Sequence, residues 1–255
     1  MHSFVRNLLA VTLLCAVAVG LWGCAGTKPA VEPGAQSAPA EGAKLDSLRA
    51  KMAITLKDDK GKEHDLDAVL FSVPGKRYRM ELTGPLGIGV ASLLWQEEGW
   101  QMTFPTEKLY MKGAGYMVGL FGEPSIPMVN IHQVAGLFKG ILLPEGYEEV
   151  EPPGDSTREE GATYAREKTG RMFTFAREGG HIAWLSRTGS DGKPETIRYF
   201  EFKDFEGVEI PARVVFERGG EKYLEIRVKK VNRNKSFSQG TWRLTIPNSY
   251  KLVGE

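Results

Sequence analysis

From about residue 44 onward the chain follows a two-residue hydrophobic rhythm. Leu48, Ala50, Met52, Ile54 and Leu56 alternate with Arg49, Lys51 and Thr55, and Tyr78, Met80 and Leu82 alternate with Arg77, Arg79, Glu81 and Thr83. Such alternation predicts strands with one wet and one dry face. Further strands are predicted over 66–73, 88–96, 99–104 and 107–112, bounded by Pro-Gly, Gly-Pro and Glu-Gly turn signals. The rhythm then breaks. Residues 114–121 form a short candidate helix containing two glycines, and 126–139 place Ile131, Val134, Ala135 and Phe138 on one helical face behind Pro127. A Pro/Gly/Glu-rich connection covers 144–161. Strands resume at 162–168, 171–177, 181–188, 195–203, 210–218, 221–231 and 241–247, with Gly179-Gly180, Asp191-Gly192 and Gly219-Gly220 as hairpin turns.

About a dozen antiparallel strands with one helical insertion predict a large curved sheet, mainly β, which must roll up or find a cover for its dry face. The helices are the available cover. Aromatic and methionine side chains recur along the strands, and this pattern fits two arrangements: a filled core, or the wall of a cavity for a flexible apolar ligand. Which residues face inward depends on register, because a slip of one residue inverts every face.

Upstream of the strands the pattern differs. Residues 1–7 carry one basic residue, Arg6, and 8–22 are almost continuously apolar before Gly23-Cys24. This is the order of a secretory signal, and the run is short for a span of the roughly 30 Å hydrocarbon core. Leu21-Trp22-Gly23-Cys24 resembles the lipobox of bacterial lipoproteins, with Trp22 where a small residue is usual. That resemblance implies a signal over 1–23, cleavage before Cys24, acylation of Cys24 and, with Ala25 next, sorting to the outer membrane. Residues 24–43, rich in Ala, Pro, Gly, Thr and Ser, read as a disordered tether. The folded domain is expected over 44–255.

The composition of the 255 residues, 42% hydrophobic and 25% charged, is that of a globular protein. Lysine and arginine total 33 against 32 acidic residues, so no overall positive field exists to gather nucleic acid. The only two cysteines are Cys15 and Cys24, which removes disulfides, cysteine metal sites and thiol nucleophiles from the body of the protein. His2, His64, His132 and His181 share no metal-like spacing, and no phosphate loop or nucleophile elbow occurs. The sequence thus offers no positive sign of an enzyme, a metal or a cofactor. Lys229-Lys230, Arg233 and Lys235 form a local basic patch.

Two ordered segments carry a resemblance. Gly75-Lys-Arg-Tyr-Arg-Met-Glu-Leu-Thr-Gly-Pro-Leu-Gly87 is similar to the signature strand and turn of the LolB family of outer-membrane lipoprotein receptors. Gly122-Glu-Pro-Ser-Ile-Pro-Met-Val-Asn-Ile-His-Gln-Val-Ala-Gly-Leu-Phe-Lys-Gly140 resembles that family's Gly-x-Pro stretch leading into a helix that ends in glycine, and Ile210-Pro-Ala-Arg-Val-Val-Phe is a weaker match. The resemblance implies an unclosed antiparallel barrel of about 11 strands, with a helical lid over 114–140 and an apolar cavity. It implies a monomeric receptor that takes acylated lipoproteins from a soluble LolA-like carrier and delivers them to the outer membrane without covalent chemistry. In that family an exposed leucine on the loop after the signature strand serves delivery. By motif it falls on Leu86, between Pro85 and Gly87. The expected acyl-cavity lining is Tyr78, Met80, Leu82, Leu94, Trp100, Met102, Ile131, Val134 and Phe138. The same fold with a filled centre would instead suit a structural or accessory envelope subunit, and a carrier for another lipid is a third reading.

Overall fold

The computed structural model describes residues 47–58, 60–97, 99–115, 117–118, 129–152, 161–189 and 191–253. The expected signal, Cys24, the expected tether, part of the 114–140 segment and the Ile131 side chain lie outside the described residues. Six strands come first: β1 (Leu48–Lys57), β2 (Glu63–Val73), β3 (Arg77–Thr83), β4 (Gly89–Gln96), β5 (Gly99–Phe104) and β6 (Leu109–Gly113). The middle contributes β7 (Met117–Val118), β8 (Val129–Asn130), the helix α1 (Ile131–Leu137) and β9 (Glu148–Val150). Then follow β10 (Ala162–Arg166), β11 (Met172–Glu178), β12 (His181–Thr188), β13 (Pro194–Asp204), β14 (Glu209–Arg218), β15 (Glu221–Arg233) and the short β16 (Lys251–Leu252).

Fourteen strands form one unclosed sheet, in the order β16-β6-β5-β4-β3-β2-β1-β15-β14-β13-β12-β11-β10-β9. The expected 11 is therefore too few. The chain runs as two meanders joined where β1 pairs with β15, so that first and last long strands lie side by side. Every pairing in it is antiparallel except β6 with β16, which is parallel. The alternation read from the sequence holds in detail: Leu48, Ala50, Met52, Ile54 and Leu56 are buried and face a single apolar cluster. Register shifts at Lys51/Met52, Leu82/Thr83, Ala176/Arg177 and Phe216/Glu217 place one unpaired residue in a strand each time. Bulges of this kind bend a strand and increase its twist, which curls the dry face inward on itself.

The lid expected as helices over 114–140 is different in its described part. Met117–Val118 pairs with Val129–Asn130 as a two-stranded ladder, and the only described α-helix is the seven-residue α1. Helix α1 ends in a Schellman closure, with Ile141 N–H donating to Gly136 O and Gly140 N–H to Leu137 O. Gly140 has φ +71°, which its missing Cβ permits. Arg233, buried at the end of β15, fixes this closure to the sheet by donating from Nη2 to Phe138 O at 2.9 Å and from Nε to Phe205 O at 3.0 Å.

The segment 241–247, expected as a strand, is no strand. Residues 236–250 cross the outer face of β3 and β4 as a strap containing a short 3-10 turn at Gln239–Trp242, and only 251–252 join the sheet. Arg79, on that outer face, binds Glu81 through Nε and donates from Nη1 to Thr241 O at 2.9 Å and Arg243 O at 2.8 Å. Trp242 is buried, with Arg77 over its ring at 4.4 Å and Phe237 edge-on at 5.6 Å. On the inner face Gly113 lies against Trp100, and an added Cβ would come within 2.6 Å of the ring. Replacing Arg79 with alanine removes charge-assisted bonds to at least two strap carbonyls. It is expected to lower unfolding stability by about 2 kcal/mol and expose the Arg243 peptide bond to trypsin, read by denaturant melts and timed digestion. An unchanged melt would mean that the strap is held by other contacts.

Candidate functional site

Between the inner face and the segment after α1 lies a cavity of about 360 Å³. Its sheet side is made by Tyr78 on β3, Leu185 and Arg187 on β12, Ile197 and Tyr199 on β13, Val214 and Phe216 on β14, and Ile226 on β15. The facing side is made by Val134 to Leu137 of α1 and by Ile141, Leu142 and Leu143. The sheet side is continuous because the register sets Leu185 opposite Ile197, Ile197 opposite Phe216, Tyr199 opposite Val214 and Val214 opposite Ile226. The size is at the lower end of the range of about 300–1,000 Å³ usual for small-molecule pockets, which are mostly apolar with a few placed polar groups.

Those polar groups are few. The Tyr199 hydroxyl reaches Leu142 O at 3.4 Å, and the Tyr78 hydroxyl accepts the Gly75 N–H at 3.0 Å. Burial raises the pKa of both phenols above the usual value, so each stays neutral and can donate a hydrogen bond. Arg187 donates from Nε to Glu195 Oε2 at 3.2 Å. Close by, burial and then the Glu195 carboxylate push the Tyr223 hydroxyl up to about 12. Among the described residues no group of three or more histidines or carboxylates could hold a metal ion.

Of the residues expected to line a cavity, Tyr78 and Val134 line this one. Met80, Leu82, Trp100 and Met102 face inward but belong to the packed cluster, as does Phe138, and none of them lines this cavity. With Trp95 they crowd the space in front of β3–β5, whereas the side chains of β12–β15 that face α1 leave room. Leu94 is a correction. It pairs with Arg79 and Gln101, on the outer face, and is only 7% exposed outside the inner cluster, on the face that the strap crosses. Sequence reasoning missed Arg187, Tyr199 and the Ile141-Leu-Leu143 run. The signal for Arg187 was its spacing of two from Leu185, which puts both on one face.

The second feature is the β3–β4 connection. Pro85–Gly87 make a single 3-10 turn, closed by Gly84 N–H to Ile88 O at 2.8 Å and Gly87 N–H to Gly84 O at 3.2 Å. At its tip Leu86 is 99% exposed, and the nearby Ile88 is 59% exposed. Leu86 also has φ 61° and ψ 16°, the left-handed region that a bulky side chain enters at a cost of about 1–2 kcal/mol. A turn with Gly at this position would avoid that strain.

Comparisons with known proteins bear on the architecture. No protein-family model matches the chain, and no curated protein matches it. Among solved structures, LolA superfamily protein NE2245 from Nitrosomonas europaea superposes with a TM-score of 0.51 at 13% identity, over 78% of this chain and 91% of that one. The fold is LolA-like. A domain named for outer membrane lipoprotein sorting, from Vibrio parahaemolyticus, gives 0.51 at 9% identity over 79% and 90%. A DUF1329 family protein from Desulfovibrio piger gives 0.50 at 10% identity over 79% and 91%. At such identities the likeness concerns the fold: in this LolA-like sheet, the cavity and the turn are features of this chain's own residues.

If the Leu86 backbone is strained, Leu86→Gly will raise the stability of the chain by about 0.5–1 kcal/mol, while Leu86→Ala, which keeps a Cβ, will not. Chemical denaturation of the two variants beside wild type reads this. Destabilisation by Leu86→Gly would show that the leucine has a packing role.

Proposed function

We propose that this chain is an outer-membrane-anchored lipoprotein receptor of the LolB type. It would take acylated lipoproteins from a soluble LolA-like carrier and pass them to the membrane. The observation that carries this reading is Leu86. A large apolar side chain, fully exposed on a turn and held in a strained backbone conformation, is unfavourable twice in water. Burying it at a lipid interface contributes about 1.5–3 kcal/mol, which supports a role in touching the bilayer. The motif that suggested the leucine, the LolA-like fold and the apolar cavity all point the same way.

In this reading the N-terminal signal is removed, Cys24 carries acyl chains, and the tether gives the domain reach above the membrane. At about 0.8 kcal/mol per buried methylene, two or more chains anchor stably. No covalent step is needed. A downhill order of acyl affinity, from carrier to cavity to bilayer, drives transfer. One observation favours the second reading, an accessory envelope subunit: the inner face before β3–β5 is filled by Tyr78, Met80, Trp95, Trp100 and Met102.

The test loads a soluble carrier with labelled lipoprotein and follows label first to this protein and then to liposomes. Wild type is expected to complete both steps. Leu86→Glu is expected to accept cargo as well as wild type and to deliver it at least about tenfold more slowly, since a carboxylate resists burial in lipid. Equal delivery by the two would remove Leu86 from the mechanism. Failure of wild type to accept cargo would leave the accessory reading.

A further inference from the structure

Arg187 is out of place in an apolar wall. It follows Leu185 by two residues on β12, faces the same cavity, and its side chain is only 20% exposed. A guanidinium carries five N–H donors. One of them, on Nε, meets Glu195 Oε2, and Glu195 is not a lining residue, so it holds the arginine from outside the cavity. The Nη groups have no hydrogen-bond acceptor among the described residues. On the same wall is Tyr199, whose hydroxyl makes one long contact to Leu142 O. The other charged lining groups are Glu145, which is exposed, and Lys139 and Glu167, which are half-buried like Arg187; the Glu167 carboxylate accepts from Thr169 Oγ1 at 3.1 Å. Behind Glu195, across the strand pair, stands Arg218, itself paired with Asp191 at 3.1 Å.

A ligand that is apolar throughout would displace water from the Nη groups and give nothing in return, which is costly for a cation already half-buried. An anion would satisfy them. We propose that the cavity takes an acyl amphiphile with an anionic head, the head pairing with Arg187 and the chain lying along Ile197, Val214, Phe216 and Ile226. A chain attached to protein through ester or amide bonds brings no such charge, so what Arg187 recognises is a second ligand beside the lipoprotein cargo proposed above, a lipid in its own right with a carboxylate or phosphate head. This inference rests on the cavity being an acyl site, as proposed above, but not on the cargo being a lipoprotein.

The test uses the full chain carrying Cys24→Ser, so that no acyl group of its own can enter the cavity. A neutral environment-sensitive dye, N-phenylnaphthylamine, reports occupancy, and dodecanoate, dodecyl phosphate and dodecanol compete for it. One or both anions are expected to displace the dye at about tenfold lower concentration than the alcohol, as one charge-assisted pair would give. Whichever anion competes better identifies the head as carboxylate or phosphate. Arg187→Gln, and the double variant Arg187→Gln/Glu195→Gln in which no carboxylate is orphaned, should still take up dye and alcohol but lose the preference. Arg187→Lys should keep part of it. Equal competition by all three in wild type, or a preference that survives in both Gln variants, overturns the head-group anchor and leaves the acyl cavity standing. No dye uptake by wild type would overturn the cavity reading itself.

Discussion

A fourteen-stranded sheet with one apolar face cannot persist in water until that face is covered, and nearly everything else about this chain answers that constraint. Bulges in β4, β12 and β15 curl the sheet so that it covers part of its own face. The segment from α1 through Leu143 covers another part, fixed by the hydrogen bond from Arg233 to Phe138. Coverage is uneven. Aromatic and methionine side chains fill the space before β3–β5, while the inner face of β12–β15 meets α1 with room to spare.

The outer face has its own device. The strap lies across β3 and β4, anchored by Arg79 on its carbonyls and by Trp242 under Arg77, and then adds β16 beside β6. An edge strand with free N–H and C=O groups invites pairing with other chains, and β16 shields this one. The strap also accounts for a buried apolar residue, Leu94, on a face otherwise lined by Arg79, Glu81 and Ser92.

Twelve strands, β1 to β6 and β10 to β15, are legible in the amino-acid sequence, β1 and β3 through strict alternation and the others as apolar runs between turn signals. β9 and β16, at two or three residues, are too short to carry a pattern. The stretch 241–247 shows the limit of such patterns. Trp242, Leu244 and Ile246 do alternate in burial, but against the outside of a sheet rather than within a ladder. Alternation reports a surface to lie on, not a hydrogen-bonded neighbour. Leu93-Leu94-Trp95 is apolar throughout, so the sequence could not say which of them faced inward, and only pairing with β3 decides it. The Leu86 turn was legible through its Gly-Pro-Leu-Gly motif. Arg187 shares its spacing with Leu185, but a lone arginine near the end of a strand does not signal a cavity until the cavity is seen.

A strained, exposed leucine on one turn and a partly open apolar space under the sheet suit a protein that holds a fatty chain briefly and gives it up at a membrane. The claim on which this depends is that an alkyl chain enters the space between α1 and β12–β15. Methyl NMR with a nitroxide-labelled fatty acid tests it most directly. The account predicts strong paramagnetic broadening of the Leu185, Ile197, Val214 and Ile226 methyls. Broadening confined to Leu86 and Ile88, or none at all, would contradict it.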